Sequence, residues 1–287
     1  MYGTEHRRLR TAADVLAALR GEPAGRPQVD PALAGGLREW LEDELAPLAL
    51  GLPAGAPPIA IDRRVLTGAT VREGPACEPS LQLSLVRTIL SRMLFRQLVT
   101  TGRIGHPLED ALAGLAATGR GEAVATFLST LSVAERSQLR RDLSDRAAGM
   151  ARHWPTLAPT WLPRTAEHLT IPLAGGRITM SGTIDLLVGT PSQGQASVCL
   201  VELAATAGRS DQWLGVRFLA LLETLRSGAA PARAAVFDPV TGEVAAEEVT
   251  EEALCATLES VVRQATQPAR AAVTVEPSAH SAQRRAA

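Results

Sequence analysis

The sequence predicts a protein of the α+β or α/β class, with a mixed central β-sheet flanked by helices and a helical N-terminal region. Helical periodicity dominates the chain from about residue 79 to residue 153. The pattern then changes to short apolar segments separated by glycine and proline, which is typical of strands. A helical segment interrupts these strands, and an order of three strands, a helix and a further strand indicates a sheet with helices on its faces.

The composition is that of a globular protein with a sizeable core. The chain has 287 residues, of which 46% are hydrophobic and 21% are charged. No apolar run approaches the roughly 20 residues that a membrane span needs, and the N-terminal segment lacks the apolar region of a secretory signal. We therefore expect a cytoplasmic protein with no membrane partner.

The net charge of −1 argues against a general nucleic-acid binder, and all 29 basic residues are arginine.

Helices are expected throughout the first half of the chain. Helical patterns cover residues 11–20 and 31–45 and lead into a linker rich in glycine and proline. Within 86–98, apolar residues recur at intervals of three and four, as on the buried face of a helix. Ser132 and Glu135 have the spacing of a capping box, so we expect another helix to begin there.

Strands are expected in the second half. A turn at Gly175-Gly176 joins two of them into a hairpin, and residues 197–205 form a third strand, apolar on both faces and therefore central. Residues 210–228 have the pattern of a helix, and a turn at 238–242 separates two further strands. Thr250 is expected to cap a last helix.

These patterns divide the chain into four regions. They are the N-terminal helices and linker (1–60), a helical region packed on the core (61–153), the α/β core (154–266) and a disordered tail (267–287).

Isolated carboxylates occur on two of the core strands. Since side chains alternate along a strand, Asp185 ends a polar row on one face, and Glu202 shares a face with Ala204. The polar row is Thr179, Ser181, Thr183 and Asp185, the opposite face carries Ile178, Met180, Ile184 and Leu186, and Glu202 lies with Val198, Leu200 and Ala204. If the strands are neighbours, Asp185 and Glu202 converge, and oxygen ligands of this kind suit magnesium or manganese.

The order of these motifs resembles the nuclease domain of the PD-(D/E)XK superfamily, in its RecB-like branch. In that branch a G-x-x-D strand precedes a D/E-x-K strand, a glycine and a helix with an early glutamine. The corresponding residues here are Gly182, Asp185, Glu202, Gly208 and Gln212, and the resemblance covers about residues 161–250. It implies a restriction-endonuclease-like core and a magnesium-dependent DNA nuclease, that is, a phosphodiester hydrolase.

One position departs from the family pattern. Alanine stands at 204, where the motif lysine would activate water and offset charge on the phosphate. Losing one such preorganised group typically costs on the order of 10²–10³ in rate. No lysine elsewhere in the chain replaces it, so Arg209 and Arg217 are the candidate substitutes. Arginine stabilises negative charge but stays protonated and does not act as a base.

The resemblance suggests two further features to check. Some family members take a metal ligand from an upstream helix, for which His106, Glu109 and His153 are candidates by order. Relatives with an iron–sulfur cluster use four cysteines, one early and three clustered late. This chain has three scattered cysteines, at 77, 199 and 255, so we expect no cluster.

Three hypotheses on function follow. The leading one is a catalytically weakened or inactive nuclease-fold protein, which acts in DNA repair, processing or defence by binding DNA or a partner such as a helicase, with its magnesium or manganese site weak or lost. The second is an active magnesium-dependent deoxyribonuclease that uses Arg209 or Arg217. The third is a purely structural interaction module.

Overall fold

The computed structural model describes residues 12–20, 30, 32–63, 79–119, 121–189, 198–204 and 210–266. Within these ranges the helices are α1 (Ala12–Arg20), α2 (Leu33–Leu50), α3 (Pro79–Thr101), α4 (Pro107–Ala117), α5 (Gly121–Thr130), α6 (Val133–His153), α7 (Ser210–Ser227) and α8 (Glu251–Thr266). The strands are β1 (Ile59–Asp62), β2 (Arg164–Leu173), β3 (Ile178–Val188), β4 (Cys199–Leu203), β5 (Arg233–Phe237) and β6 (Val244–Glu248). The predicted disordered tail, together with Cys77, Gly208 and Arg209, lies outside the described residues.

The strands form one mixed sheet, which confirms the predicted class. β3, β4, β5 and β6 are neighbours in that order, and β1 and β2 both pair with β3. The pairs β1–β3 and β4–β5 are parallel, whereas β2–β3, β3–β4 and β5–β6 are antiparallel. β4 is buried along its whole length, as its apolar sequence predicts for a central strand.

Helices cover both faces of the sheet. A first helical layer, made of α2, α7 and α8, packs on one face. A second helical layer, made of α1 and α3 to α6, packs on the other. In the second layer, Phe95, Trp154 and Phe237 form an aromatic cluster with ring centroids 4.8, 5.0 and 5.9 Å apart, which joins α3 and the end of α6 to β5. None of the helices in the described ranges has the length and apolarity required to cross a bilayer.

Several local signals are confirmed. Ser132 and Glu135 form the reciprocal capping box that begins α6. Gly175 and Gly176 make the hairpin turn with φ of 65° and 85°, a conformation that glycine adopts without a Cβ penalty. Thr250 accepts a hydrogen bond of 3.2 Å from the Ala253 N–H at the start of α8.

Strand β1 is a feature that the sequence analysis missed. It consists of four residues and follows the glycine- and proline-rich linker directly. The predicted boundary between residues 60 and 61 falls inside this strand. The N-terminal region therefore contributes a strand to the sheet as well as a helical cover.

Gly182 allows α7 to lie close to β3. A methyl group at this position would lie 2.5 Å from Leu219 Cδ2 and 3.1 Å from Leu222 Cδ1, both on α7. These distances are shorter than ordinary carbon–carbon contacts, so the two buried leucine side chains must shift to admit any larger residue.

We expect Gly182→Ala to lower the free energy of unfolding by about 1–3 kcal/mol, the usual cost of overpacking a filled core. Gly36→Ala in α2 is the matched control, because nothing lies within 4 Å of its added methyl group. The control should gain up to about 1 kcal/mol from helix propensity. Urea unfolding of both variants measures the difference, and equal stabilities would contradict this account of Gly182.

Candidate functional site

The candidate site lies at an opening along one edge of β3. β2 pairs with β3 over 178–187, β1 pairs with it over 178–181, and β4 pairs with it over 186–188. Because a strand has two edges, β1 and β4 must share the edge opposite β2. β1 runs parallel and β4 antiparallel to β3, so their C-terminal ends point toward each other across residues 182–185.

The pleat of β3 is broken at Asp185. Ile184 packs in the first helical layer, but Leu186 packs in the second, although strict alternation would place the two together. The expectation that Leu186 shares a face with Ile184 is therefore wrong. The break coincides with Ala166 of β2, which lies opposite Asp185 and has a φ of 55°, uncommon for a residue other than glycine.

The carboxylates of Asp185 and Glu202 converge at this opening. Asp185 Oδ2 accepts a hydrogen bond of 2.9 Å from the Leu203 N–H, the residue that follows Glu202 on β4. The Asp185 side chain is 5% exposed and that of Glu202 is 0% exposed. The two acids thus come from neighbouring strands, as the sequence predicts, and both are removed from water.

Arg63 reaches Glu202 on the side of the sheet that the first helical layer covers. It follows β1 directly, and its Nη1 donates a hydrogen bond to Glu202 Oε2. Its side chain passes over Gly215 of α7, where a methyl group would lie 2.9 Å from Arg63 Cζ and 3.1 Å from Cδ. Gly215 is therefore the position that leaves room for the guanidinium.

Arg92 reaches the same carboxylates from the second helical layer. It lies on α3, and its Nε is 3.0 Å from Asp185 Oδ1, an ion pair without the alignment of a hydrogen bond. Its Nη2 is 3.7 Å from Glu202 Oε1, so one guanidinium faces both acids. We name Asp185, Glu202, Arg63 and Arg92 the carboxylate–guanidinium cluster.

Burial controls the protonation of Glu202. It raises the pKa of this carboxyl from its ordinary value of 4.5 to about 7; the charge of Asp185 also raises it, whereas Arg63 and Arg92 lower it. The charge of Asp185 raises the pKa of Arg92 above its ordinary value. Arg92 consequently remains a cation, while burial favours the protonated form of Glu202.

With the arginines in place, the two acids do not fit a resident divalent cation. Magnesium binds oxygens at about 2.0–2.1 Å in a near-octahedral shell. Here Asp185 is engaged by Arg92 and the Leu203 N–H, and Glu202 is engaged by Arg63 and faces Arg92. Within the described ranges, no group of three or more His, Cys, Asp or Glu side chains is arranged to hold a metal ion.

The other predicted residues of the active centre are placed as follows. Gln212 of α7 is buried, and its amide donates a hydrogen bond of 3.4 Å to the Leu203 carbonyl, beside Glu202. Arg217 forms a bidentate ion pair with Glu247 of β6, with both nitrogen–oxygen distances 2.7 Å. Ala204 is 3% exposed and belongs to the apolar core against the first helical layer.

The proposed upstream ligands have other surroundings. Glu109 forms an exposed ion pair of 3.6 Å with Arg140. His106 precedes α4 as its N-cap residue, and the ring of His153 packs against Gly242. No described contact places these residues beside Asp185 or Glu202.

Sequence reasoning did not identify the two arginines of the cluster as site residues. Arg63 is 139 positions from Glu202 in the chain. Arg92 appears in sequence as one arginine among several on a helix that reads as amphipathic. Strand β1 was the signal that could have identified Arg63. A strand recognised at 59–62 would have placed Arg63, the next residue, at the opening of the sheet.

We expect Gly215→Ala to destabilise the protein by about 1–3 kcal/mol, because the methyl group displaces Arg63 from a buried carboxylate. A loss of stability distinguishes this effect from helix propensity, because a change from glycine to alanine within a helix otherwise stabilises a protein by up to about 1 kcal/mol. Arg63→Met removes the same ion pair directly. If Gly215 acts through Arg63, urea unfolding should show the double variant to be no less stable than Arg63→Met alone; additive losses would contradict this.

We expect the stability difference between wild type and Glu202→Gln to fall as pH rises. The pKa of Glu202 is raised in the folded state, so its contribution is full below about pH 4.5 and is lost progressively toward about pH 7. A shift of this size corresponds to roughly 3 kcal/mol. Urea unfolding across this range measures it, with Glu109→Gln as a control that removes an exposed carboxylate. A difference that rises with pH would contradict the raised pKa.

The chain was also compared with known proteins. No family model matches it, and no curated protein matches it. It is similar to a solved structure described as "Crystal structure of SSO0001", with 10% sequence identity, a TM-score of 0.31, and coverage of 82% of this chain and 88% of that chain. The family resemblance drawn from the sequence therefore stays a prediction.

Proposed function

We propose that this chain is a PD-(D/E)XK-like nuclease-fold protein of the RecB-like kind that does not hydrolyse DNA. In this proposal it acts in DNA repair, processing or defence by binding nucleic acid or a partner protein such as a helicase. Its former catalytic centre has become an ion-pair cluster that stabilises the fold.

One observation carries the proposal. Asp185 and Glu202 lie together at the opening between β1 and β4, yet the charges opposite them belong to Arg63 and Arg92. An active metal-dependent nuclease needs oxygens free to bind a cation and a group that activates water. The two acids support descent from a metal-dependent nuclease. The two arginines argue against DNA hydrolysis by this chain.

The vacant lysine position points the same way. Ala204 is buried in apolar surroundings and brings no cation to Glu202, which precedes it by two residues on β4. Neither arginine of the cluster supplies the missing function, because a guanidinium does not accept a proton at neutral pH.

The active-enzyme alternative receives less support. It assigns the missing role to Arg209 or Arg217. Arg209 lies outside the described residues, and Arg217 forms a bidentate ion pair with Glu247 at the far end of the sheet order. A bidentate arginine–carboxylate pair is among the stronger and more rigid side-chain interactions, so leaving it costs stability.

A structural interaction module is the second candidate, favoured by the ion pairs that α6 forms with α3 and α4. There Asp142 pairs with Arg87 at 3.1 Å and accepts a hydrogen bond from Gln138, and Arg140 pairs with Glu109. Arginines that are already matched by acids offer less net charge to phosphates. Charges that are matched in this way suit a protein partner better than nucleic acid.

We expect no magnesium- or manganese-dependent cleavage of single- or double-stranded DNA above that of Asp185→Asn, measured with end-labelled substrates. Cleavage that requires Asp185 would overturn the inactive assignment. DNA binding is measured in parallel by fluorescence anisotropy at low and moderate salt. Affinity that falls steeply with salt supports nucleic-acid binding, because phosphate contacts release counterions, and absence of binding favours the interaction module.

A further inference from the structure

We propose that the guanidinium of Arg92 takes the place of a divalent cation between Asp185 and Glu202, and that removing it creates a binding site for Mg²⁺ or Mn²⁺. The inference requires only the geometry of the cluster. It therefore holds or fails independently of the proposed role in DNA metabolism.

The position of the Arg92 guanidinium supports this proposal. Arg92 is the one member of the cluster that faces both acids, with Nε 3.0 Å from Asp185 Oδ1 and Nη2 3.7 Å from Glu202 Oε1. Arg63 donates to the other oxygen of Glu202, Oε2. Arg92 thus lies between one oxygen of each acid, the position that a shared cation would take.

One buried oxygen of Glu202 lacks a hydrogen bond, which also supports the proposal. Glu202 is 0% exposed, and its Oε1 has no hydrogen-bond partner among the described residues. The nitrogen that forms an ion pair with it, Arg92 Nη2, is 3.7 Å away, beyond hydrogen-bond distance. A buried carboxylate oxygen without a partner is costly. It identifies a position where a small, closely approaching cation would interact better than the guanidinium does.

The net charge of the cluster favours a cation once Arg92 is removed. When ionised, Asp185 and Glu202 contribute −2, and Arg63 and Arg92 contribute +2, so the cluster is formally neutral. Without Arg92 the remaining three side chains carry −1. Hard divalent cations prefer carboxylate oxygen with water in the other positions. The Arg92 side chain is 35% exposed, so its removal opens the pair to water from solvent.

The variant Arg92→Met retains the volume of the side-chain stem and deletes the charge. Arg63→Met is the matched control, because it removes an equal charge from the same cluster but leaves Arg92 between the acids. Arg92→Gln is a second test variant, whose amide can still donate to one carboxylate. Mn²⁺ is the probe, followed by electron paramagnetic resonance of free Mn²⁺ and by thermal unfolding at mildly alkaline pH.

We expect wild type and Arg63→Met to bind no Mn²⁺ at the cluster. Arg92→Met and Arg92→Gln should unfold at lower temperature than wild type without Mn²⁺, and Mn²⁺ should raise the unfolding temperature by several degrees. Adding Asp185→Asn to either variant should abolish both the binding and the rescue. A variant that folds only when Mn²⁺ is present also supports the proposal.

Either of two results would overturn it. In one, wild type binds Mn²⁺ and Asp185→Asn abolishes that binding, which means that a cation and Arg92 share the site. In the other, millimolar Mn²⁺ neither binds to nor stabilises both Arg92 variants, whether they fold or not. DNA cleavage is not a readout in this experiment, so its outcome is separate from the test of the proposed function.

Discussion

The structure depends on the neutralisation of a fully buried carboxylate. Glu202 lies on the central strand β4 and is 0% exposed. An ionised carboxylate in such a position is strongly unfavourable unless cations and hydrogen bonds compensate it. Arg63 from the end of β1 and Arg92 from α3 provide part of that compensation from opposite faces of the sheet. One side chain thus contacts residues from both sides of the sheet.

The opening that holds this cluster is a consequence of strand pairing. β1 and β4 occupy the same edge of β3, and no other described strand pairs with residues 182–185 on that edge. The Leu203 N–H, which would otherwise continue the ladder, donates to the Asp185 carboxylate instead. An unpaired backbone donor inside a sheet needs a polar side chain nearby. Asp185 therefore has a structural role that is independent of any metal or catalytic function.

The sequence predicted the elements better than the contacts between them. The hairpin at Gly175, the capping box at Ser132 and the central strand β4 carry local signals, and each is confirmed. β1 has four residues, too few for periodicity to distinguish it from a linker. The predicted face of Leu186 is wrong because it assumed ideal alternation along β3. The alternation breaks where Ala166, opposite Asp185, has a left-handed conformation.

The partners of the acids were beyond local reasoning for a different reason. The ion pair of Arg63 with Glu202 joins residues 139 positions apart, and the Arg92 pairs join a helix to strands that follow much later in the chain. Nothing in a window of neighbouring residues specifies such a contact. The predicted substitutes, Arg209 and Arg217, follow β4 in the chain, whereas Arg63 and Arg92 precede it.

The chemistry of arginine explains what this site can and cannot do. All 29 basic residues of the chain are arginine. A guanidinium is planar and presents several donors, so one group can face two carboxylates on different strands, whereas an ammonium is a compact point charge. The same delocalisation keeps arginine protonated at neutral pH and prevents it from activating water. A pair of acids surrounded by arginines is therefore well suited to hold strands and helices together and poorly suited to hydrolysis.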